Sequence, residues 1–198
     1  MRNAGEIAPL IRSLSAAEAR ARDDAAAAIF QLGREIALAA TQKWLEDAEL
    51  ASCFVIEGAG LVKTTVGIAV SPETFERMKA ANGSPRLADV PPDQDAKEFE
   101  LDFPHGVRLD ILSTREPGGA GAIARYLQKF GEGIQQVEMH VRDADRATEI
   151  LRTRFSVEPI YPATRPGADG TRVNFFLLPA GPAKKILIEL VEAKAPAR

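Results

Sequence analysis

The sequence predicts an α+β fold in which two βαβββ modules form a curled mixed sheet around a cup, preceded by a small helical segment. Three observations predict this fold. Residues 1–57 are rich in Ala, Arg, Glu and Leu, which favour helices. From residue 61 onward, short β-branched runs alternate with Pro and Gly clusters, as strands and turns require. The strand-like runs 66–70 and 137–141 lie 71 residues apart and each precedes a short helix, which indicates an internal duplication.

Composition and charge narrow the classes of function. The chain has 198 residues, of which 45% are hydrophobic, enough for one sizeable core with or without a small appendage. A net charge of -3 provides no broad basic field, so we expect no nucleic-acid partner. No apolar run approaches the roughly 20 residues that span a bilayer, so we expect no membrane association and a cytoplasmic location. The single cysteine, Cys53, is expected to be a small buried hydrophobe.

The N-terminal segment, residues 1–57, carries apolar stripes at helical spacing. The stripes predict a first helix before Ser15, an Ala-rich helix that ends at Gly33, and a further helix over 36–50. The pattern from residue 9 to residue 33 resembles a single HEAT-type helical repeat, which can bury its apolar face only against a neighbour. We therefore expect this segment to pack on the following domain or to contact a protein partner.

The two modules are expected over residues 61–115 and 134–192, joined by a linker helix over 122–130. In the first module the patterns predict a strand at 62–70, a helix at 72–81, and strands at 98–103 and 107–113. In the second module they predict a strand at 134–141, a helix at 143–153, and strands at 157–161, 172–178 and 186–191.

Several motifs of this domain occur together in one known family. The segments 131–137, 165–170 and 186–192 resemble the second half of methylmalonyl-CoA epimerases, within the glyoxalase or vicinal oxygen chelate superfamily, and 66–70 and 122–127 resemble the first half. The resemblance covers about residues 61–192. It implies a cup between two modules, one divalent metal held by four side chains, and a carboxylate that moves a proton beside a carbonyl group.

The four metal-ligand positions of that family can be followed in this sequence. They fall on Thr65, Asp110, Gln136 and Glu189. The family has histidines at the first and third positions, so only the final glutamate is retained. The four residues form an all-oxygen set with two anions, which lacks the imidazoles favoured by zinc, cobalt or nickel. Magnesium, calcium or manganese would be held loosely, so a divalent metal is expected to bind weakly at best.

Strand alternation adds two more candidates. Side chains two apart share a face of a strand, so Gln136, Glu138 and His140 should point into the cup together with Glu189. Glu189 and Glu138 are the predicted catalytic carboxylates, and Asp110, Gln136 and Glu189 the predicted metal ligands. The predicted ligand-binding residues are Thr65, His140 and Asn174.

Purely structural roles stay open for two of these residues. Glu189 could equally form a buried structural ion pair with Arg108 or Arg172. His140 could be a histidine at the edge of the core that bonds one neighbour.

Two functional hypotheses follow. In the first, the chain is a degenerate member of the family that binds a small molecule in the cup without the usual histidine-based metal centre. In the second, it is an enzyme, an isomerase or lyase of the epimerase or glyoxalase type, in which Glu189 removes a proton beside a carbonyl and an oxygen-ligated divalent metal assists. The sequence favours the first slightly. Whether the chain forms a homodimer is open at this stage.

Overall fold

The computed structural model describes residues 4–58, 60–180 and 185–194. Its helices are α1 (Ala4–Ser13), α2 (Ala19–Glu46), α3 (Ala48–Cys53), α4 (Pro72–Ala81), α5 (Ala122–Phe130) and α6 (Ala144–Phe155). Its strands are β1 (Ile56–Glu57), β2 (Leu61–Val62), β3 (Thr64–Ala69), β4 (Lys97–Phe103), β5 (Val107–Ser113), β6 (Gly133–Val141), β7 (Arg165–Pro166), β8 (Arg172–Pro179) and β9 (Lys185–Glu192). Strands pair in both parallel and antiparallel directions, so the predicted α+β class with a mixed sheet is confirmed.

Backbone contacts group the chain into two compact units. The first unit contains the described part of Met1–Gly33 together with Thr65–Gln135, and the second contains Arg34–Thr64 together with the described part of Gln136–Arg198. This grouping divides the N-terminal segment between the two units, and the boundary of a separate helical segment stays a prediction. Each half of the N-terminal segment belongs with a different module.

The first unit is built on β3, whose six residues are all buried. It pairs in parallel with β5, which pairs antiparallel with β4. The α4 helix begins after Ser71, whose hydroxyl caps the backbone N–H of Thr74, and the rings of Phe75 and Phe99 pack edge to face at 4.7 Å. Asn82, just after α4, donates a hydrogen bond of 2.9 Å to the carbonyl of Leu14, which ties the N-terminal helices to this module.

The second unit is built on β6 and β9, which pair in parallel. The β9 strand pairs antiparallel with β8, and β8 pairs with the short β7. The indole of Trp44, on α2, packs edge to face against Phe176 with ring centroids 6.0 Å apart. Arg154 of α6 bonds Asp47 at 3.0 Å, just before α3. These contacts pack the segment around Trp44 on the second module.

The predicted helix end at Gly33 is wrong, because α2 continues through Gly33 to Glu46. A β-carbon at Gly33 would lie 2.6 Å from both methyl groups of Val66 on β3. Glycine is therefore needed here for a close approach between helix and strand, and not to end the helix. The predicted helix over 36–50 is divided between the end of α2 and the short α3, which Asp47 caps.

Two predicted strands also differ from the structure. The strand at 62–70 is split into β2 and β3 at Lys63, and the strand at 157–161 does not form. Pro159 and Pro162 have no backbone N–H to donate, and Ile160 alone bonds the carbonyl of Phe175, at 2.7 Å. The two-residue β7 takes that place in the second module, whereas the first module runs as βαββ from β3 to β5.

Across residues 4–58, 60–180 and 185–194, no helix is long and apolar enough to cross a membrane.

Candidate functional site

One face of the second unit collects most of the predicted site residues. In the register of the three strands, Glu138 lies opposite Glu189, which lies opposite Phe175. Residues two positions away along each strand point to the same side. We call this surface the carboxylate face, and its residues are Gln136, Glu138 and His140 on β6, Leu187, Glu189 and Val191 on β9, and Val173, Phe175 and Leu177 on β8.

The centre of the carboxylate face is a hydrogen-bonded cluster of one amide and two carboxylates. The amide nitrogen Nε2 of Gln136 donates to Oε2 of Glu189 at 2.6 Å and to Oε1 of Glu138 at 3.3 Å. Gln136 and Glu189 are only 7% and 8% exposed, so the shorter bond is shielded from water. Hydrogen bonds to charged groups in such surroundings are stronger than those between neutral groups. The cluster therefore fixes the orientation of all three side chains.

An apolar shelf borders this cluster on β8. Phe175 and Leu177 lie in register with Glu189 and Leu187, and Leu177 is 48% exposed. The ring of Tyr161 packs edge to face with Phe175 at 6.0 Å between centroids. The guanidinium of Arg165 stacks on the other ring of this pair, 4.6 Å from the centroid of Tyr161. The face thus offers hydrogen-bond acceptors on one side and an exposed apolar surface on the other.

His140 lies at the far end of the same face, opposite Val191. Its backbone N–H donates to the carbonyl of Lys63 at 3.0 Å, and its carbonyl accepts from the N–H of Val55 at 2.9 Å. The backbone of His140 is therefore fixed on the side away from β9 by the segment that surrounds β1 and β2. A ligand-binding role for its imidazole stays a prediction.

The first unit carries the other two positions that the family resemblance selects. Thr65 and Gly67 lie on one face of β3, and Gly67 pairs in register with Asp110 on β5. Both Thr65 and Asp110 are buried, with 1% and 7% exposure. The structure thus places Thr65 and Asp110 on one face of this unit, as the resemblance requires of two inward positions.

Asn174 does not lie on the carboxylate face. It pairs in register with Leu190, which points to the opposite side of β9 from Glu189. Its side chain is fully buried, donates to the carbonyl of Tyr161 at 3.3 Å and accepts from the N–H of Phe175 at 2.9 Å. Both ends of its amide thus serve the backbone, and a ligand-binding role for Asn174 stays a prediction.

The residues present do not fit the imidazole-bound metal that the family implies. In the described parts of the chain, no three side chains of His, Cys, Asp or Glu are grouped so that they could hold a metal ion. In the carboxylate face, the group between Glu138 and Glu189 is an amide N–H, which has no lone pair to offer a metal.

Sequence reasoning missed the apolar shelf. Phe175 and Leu177 were assigned to a strand, but their position beside Glu189 depends on the register of β8 against β9. Alternation along β8 was visible in the sequence and could have been extended to the neighbouring strand. Alternation along one strand does not fix its register against the next strand, and this register decides which side chains lie beside Glu189.

The chain is similar to solved structures of methylmalonyl-CoA epimerases. No protein-family model matches the chain, and no curated protein matches it either. Among solved structures, the methylmalonyl-CoA epimerase of Mycobacterium tuberculosis is similar at 30% identity and a TM-score of 0.55, covering 71% of this chain and 94% of its own. A variant of the Streptomyces coelicolor methylmalonyl-CoA epimerase, in complex with 2-nitronate-propionyl-CoA, is similar at 26% identity and a TM-score of 0.55, covering 73% of this chain and 97% of its own.

Proposed function

We propose, since the chain belongs to the methylmalonyl-CoA epimerase family of the vicinal oxygen chelate superfamily, that it binds a small acyl thioester on the carboxylate face. Binding on this face does not use a metal held by imidazoles. The ligand class is taken from the Streptomyces coelicolor relative, whose bound molecule is a propionyl-CoA derivative. The chain spans nearly the whole length of both relatives, so the comparison concerns a complete domain of theirs.

The observation that carries the proposal is the contact of Gln136 with both carboxylates. The resemblance places Gln136 where the family has a metal-binding histidine. Here the side chain instead supplies two N–H donors, and each of them has a carboxylate acceptor. An ionised carboxylate has about four acceptor sites, so Glu138 and Glu189 can accept from the N–H or O–H groups of a ligand beside their existing contacts.

The apolar shelf supplies the second half of the recognition. An acyl group placed on Phe175 and Leu177 would remove apolar surface from water, at about 25 cal/mol per Å² of buried area. Pockets that combine apolar walls with a few placed polar groups are the usual form of small-molecule sites. The pairing of the shelf with an acceptor-rich centre suits an acyl thioester of coenzyme A, whose acyl chain is apolar and whose pantetheine arm carries amide N–H donors.

Calorimetry with propionyl-CoA, whose acyl group is uncharged, tests this proposal. We expect the dissociation constant to be the same with a chelator present and with manganese added. We expect the Glu189→Gln variant to bind about tenfold more weakly, because one acceptor of the polar centre is lost. The matched control is Glu158→Gln, which changes an exposed glutamate of the same unit. Loss of binding in the chelator, or equal binding by Glu189→Gln and the wild type, would overturn the proposal.

A second candidate function, proton abstraction, is favoured by the register that sets Glu189 beside Glu138. Glu189 would take the proton from the carbon next to the thioester carbonyl, and the electron pair of that C–H bond would move into the carbonyl to give an enolate. Glu138, protonated at the start, would return its proton to the carbon as the enolate reverts to the carbonyl, and the proton held by Glu189 would then pass to Glu138 through water, which restores both groups for the next turnover. Binding is the better supported of the two functions, because Glu189 already accepts a 2.6 Å hydrogen bond, and protonation of Glu189 would weaken that bond.

Exchange of the C2 proton of methylmalonyl-CoA in heavy water, followed by proton NMR, tests the second candidate. If Glu189 is the base, the wild type should accelerate exchange and Glu189→Gln should slow it by about 100-fold or more. Glu158→Gln again serves as the control. Exchange at the uncatalysed rate with saturating wild-type protein would exclude this function and leave the binding proposal intact.

A further inference from the structure

A cavity lies in the second unit, away from the carboxylate face. It has a volume of about 280 Å³ and is bounded by α2, α3, the β1–β2 hairpin and Met139 of β6. Met139 is one residue from both Glu138 and His140, so its side chain points to the opposite side of β6 from theirs. The cavity is therefore distinct from the site of the proposed function, and either can fail without the other.

The shape of the cavity follows one stripe of α2. Its lining residues on that helix recur at spacings of three, four and seven, which places them on one side. They are Arg34, Ala37, Leu38, Thr41 and Leu45. From the first to the last of them, the helix rises about 16 Å at 1.5 Å per residue. The cavity is thus elongated, and it suits a chain more than a compact molecule.

The wall of the cavity is apolar and its mouth is partly open to water. Leu38, Ile56 and Leu61 line it and are 41%, 46% and 47% exposed, whereas Met139 is 2% exposed. The hydroxyls of Thr41 and Thr64, which also line it, already bond the carbonyls of Ala37 and Val62. Large apolar side chains exposed together around a concavity are typical of a binding site.

The charge of the cavity lies at one end. Among its lining residues, all of which the structure describes, only Arg34 carries a charge, and it is the first residue of the α2 stripe. A guanidinium has five N–H donors in a planar fork that matches a carboxylate, so Arg34 can serve a ligand anion beside its existing contacts. An elongated apolar cavity with a cation at one end is complementary to a molecule with an apolar chain and an anionic head.

We propose that this cavity binds a short-chain to medium-chain aliphatic carboxylate, with the chain along Ala37, Leu38 and Leu45 and the carboxylate at Arg34. Its volume lies near the lower end of the range of about 300–1,000 Å³ that is usual for ligand pockets, which favours a short chain over a long lipid. The cavity includes part of the N-terminal segment, so this ligand would be bound by the appended helices together with the second module.

Calorimetry on the full chain with octanoate, octan-1-ol and octylamine tests the proposal, because the three probes share a chain and differ in the head group. We expect one octanoate to bind per chain, and octylamine to bind at least about tenfold more weakly. Arg34→Gln should weaken octanoate and leave octan-1-ol nearly unchanged. Leu38→Gln should weaken both, because it places an amide at the apolar mouth.

Matched controls separate a local effect from a general one. Leu87→Gln changes a leucine of similar exposure, 38%, in the first unit, and Arg152→Gln changes an exposed arginine of α6. Both should bind octanoate like the wild type, and circular dichroism should show all four variants folded. Equal binding of octanoate and octylamine, or no binding of octanoate by the wild type, would overturn the proposal. Self-association of the wild type in sedimentation that is lost in Leu38→Gln and that prevents octanoate binding would also overturn it.

Discussion

The first strands of the two modules, β3 and β6, carry different side chains on their corresponding faces. On β3 the residues are small, whereas on β6 they are long and polar. The pairs that correspond, 71 residues apart, are Thr65 with Gln136, Gly67 with Glu138, and Ala69 with His140. The duplicated backbone therefore fixes where side chains stand and leaves their chemistry free to diverge.

The partner strands extend the comparison. In the first module Gly67 lies in register with Asp110, and in the second Glu138 lies in register with Glu189. Each module thus places one acid opposite the same position of its first strand. In the second module that position is itself an acid, and Gln136 bonds both carboxylates. The polar cluster is therefore a property of the second module, and its energetic weight can be measured there.

The largest expected effect is the loss of that cluster. Gln136→Leu removes the donor of two hydrogen bonds to carboxylates, so the free energy of unfolding should fall by about 2–3 kcal/mol. Urea denaturation followed by circular dichroism measures it. The control is Gln135→Leu on the same strand. Its Oε1 is buried and has no hydrogen-bond partner among the described residues, so the change should be neutral or stabilising. Equal losses in the two variants would show that the cluster contributes nothing.

The next effect concerns the back of β3 in the first module. Gly33→Ala would place a methyl group 2.6 Å from both Val66 methyl groups, and Val66 is fully buried with a stiff branched side chain. The cost of overpacking exceeds the gain in helix propensity, so we expect a net loss of about 1–2 kcal/mol. In a Val66→Ala background the same change should cost little or become favourable. A loss that is unchanged in that background would mean that Val66 is not the cause.

Gly33 and Asn174 show what the sequence could not reveal. The bounds of α4, α5 and β5 match the patterns that predicted them, since periodicity and capping are local properties. A glycine within a helical pattern looks like an end, because its need for space depends on a strand that comes later in the chain. The face of Asn174 depends on hairpin register, which is also non-local.

The candidate site was predicted in part for the same reason. Alternation on β6 placed Gln136, Glu138 and His140 on one side, and their register with β9 agrees with this. The hydrogen bonds of Gln136 could not be predicted, because they depend on rotamers of side chains from two strands.

The two modules fix the start of their helices, α4 and α6, in a similar way. At the start of each helix, a glutamate that is distant in the sequence accepts a hydrogen bond from a backbone N–H. Oε1 of Glu132 accepts from the backbone and hydroxyl of Ser71, at 3.0 and 2.7 Å, and Oε2 of Glu192 accepts from the backbone of Ala144, at 2.8 Å. Burial works to raise the pKa of Glu132, but the hydrogen bonds of Ser71 and Thr74 and the charge of Arg77 together outweigh it, and the pKa falls below its usual 4.5.

The sign of the pH effect follows from that lowered pKa. A carboxylate with a lowered folded pKa stabilises the protein above its unfolded pKa, and this contribution is lost as the pH falls through the folded value. Glu132→Gln should therefore destabilise the first module at neutral pH, and the difference from the wild type should shrink in acid. Urea denaturation from neutral to acidic pH measures the difference in the free energy of unfolding, and Glu158→Gln, which changes an exposed glutamate, is the control. A difference that stays constant at every pH would contradict the assignment.

The smallest expected effect is a change in the rate at which the thiol of Cys53 is labelled, and this rate reports on the second module alone. Cys53, in α3, is 7% exposed, and its carbonyl accepts the N–H of Arg142 at 2.8 Å, just after β6. Burial raises the pKa of its thiol, and the charge of Asp143 adds to this, so little thiolate is present near neutral pH. Iodoacetamide should therefore react more slowly than with a free thiol and at the normal rate in urea.

The labelling rate then sharpens the contrast between the modules. Reaction of a buried thiol requires local opening, so a substitution that weakens the second unit should raise the rate. Gln136→Leu lies in that unit with Cys53, and it should accelerate labelling in proportion to the free energy that it loses. Gln135→Leu, one residue away on the same strand, should not. If both variants label like the wild type although Gln136→Leu is destabilised in urea, then opening around Cys53 is independent of the carboxylate face.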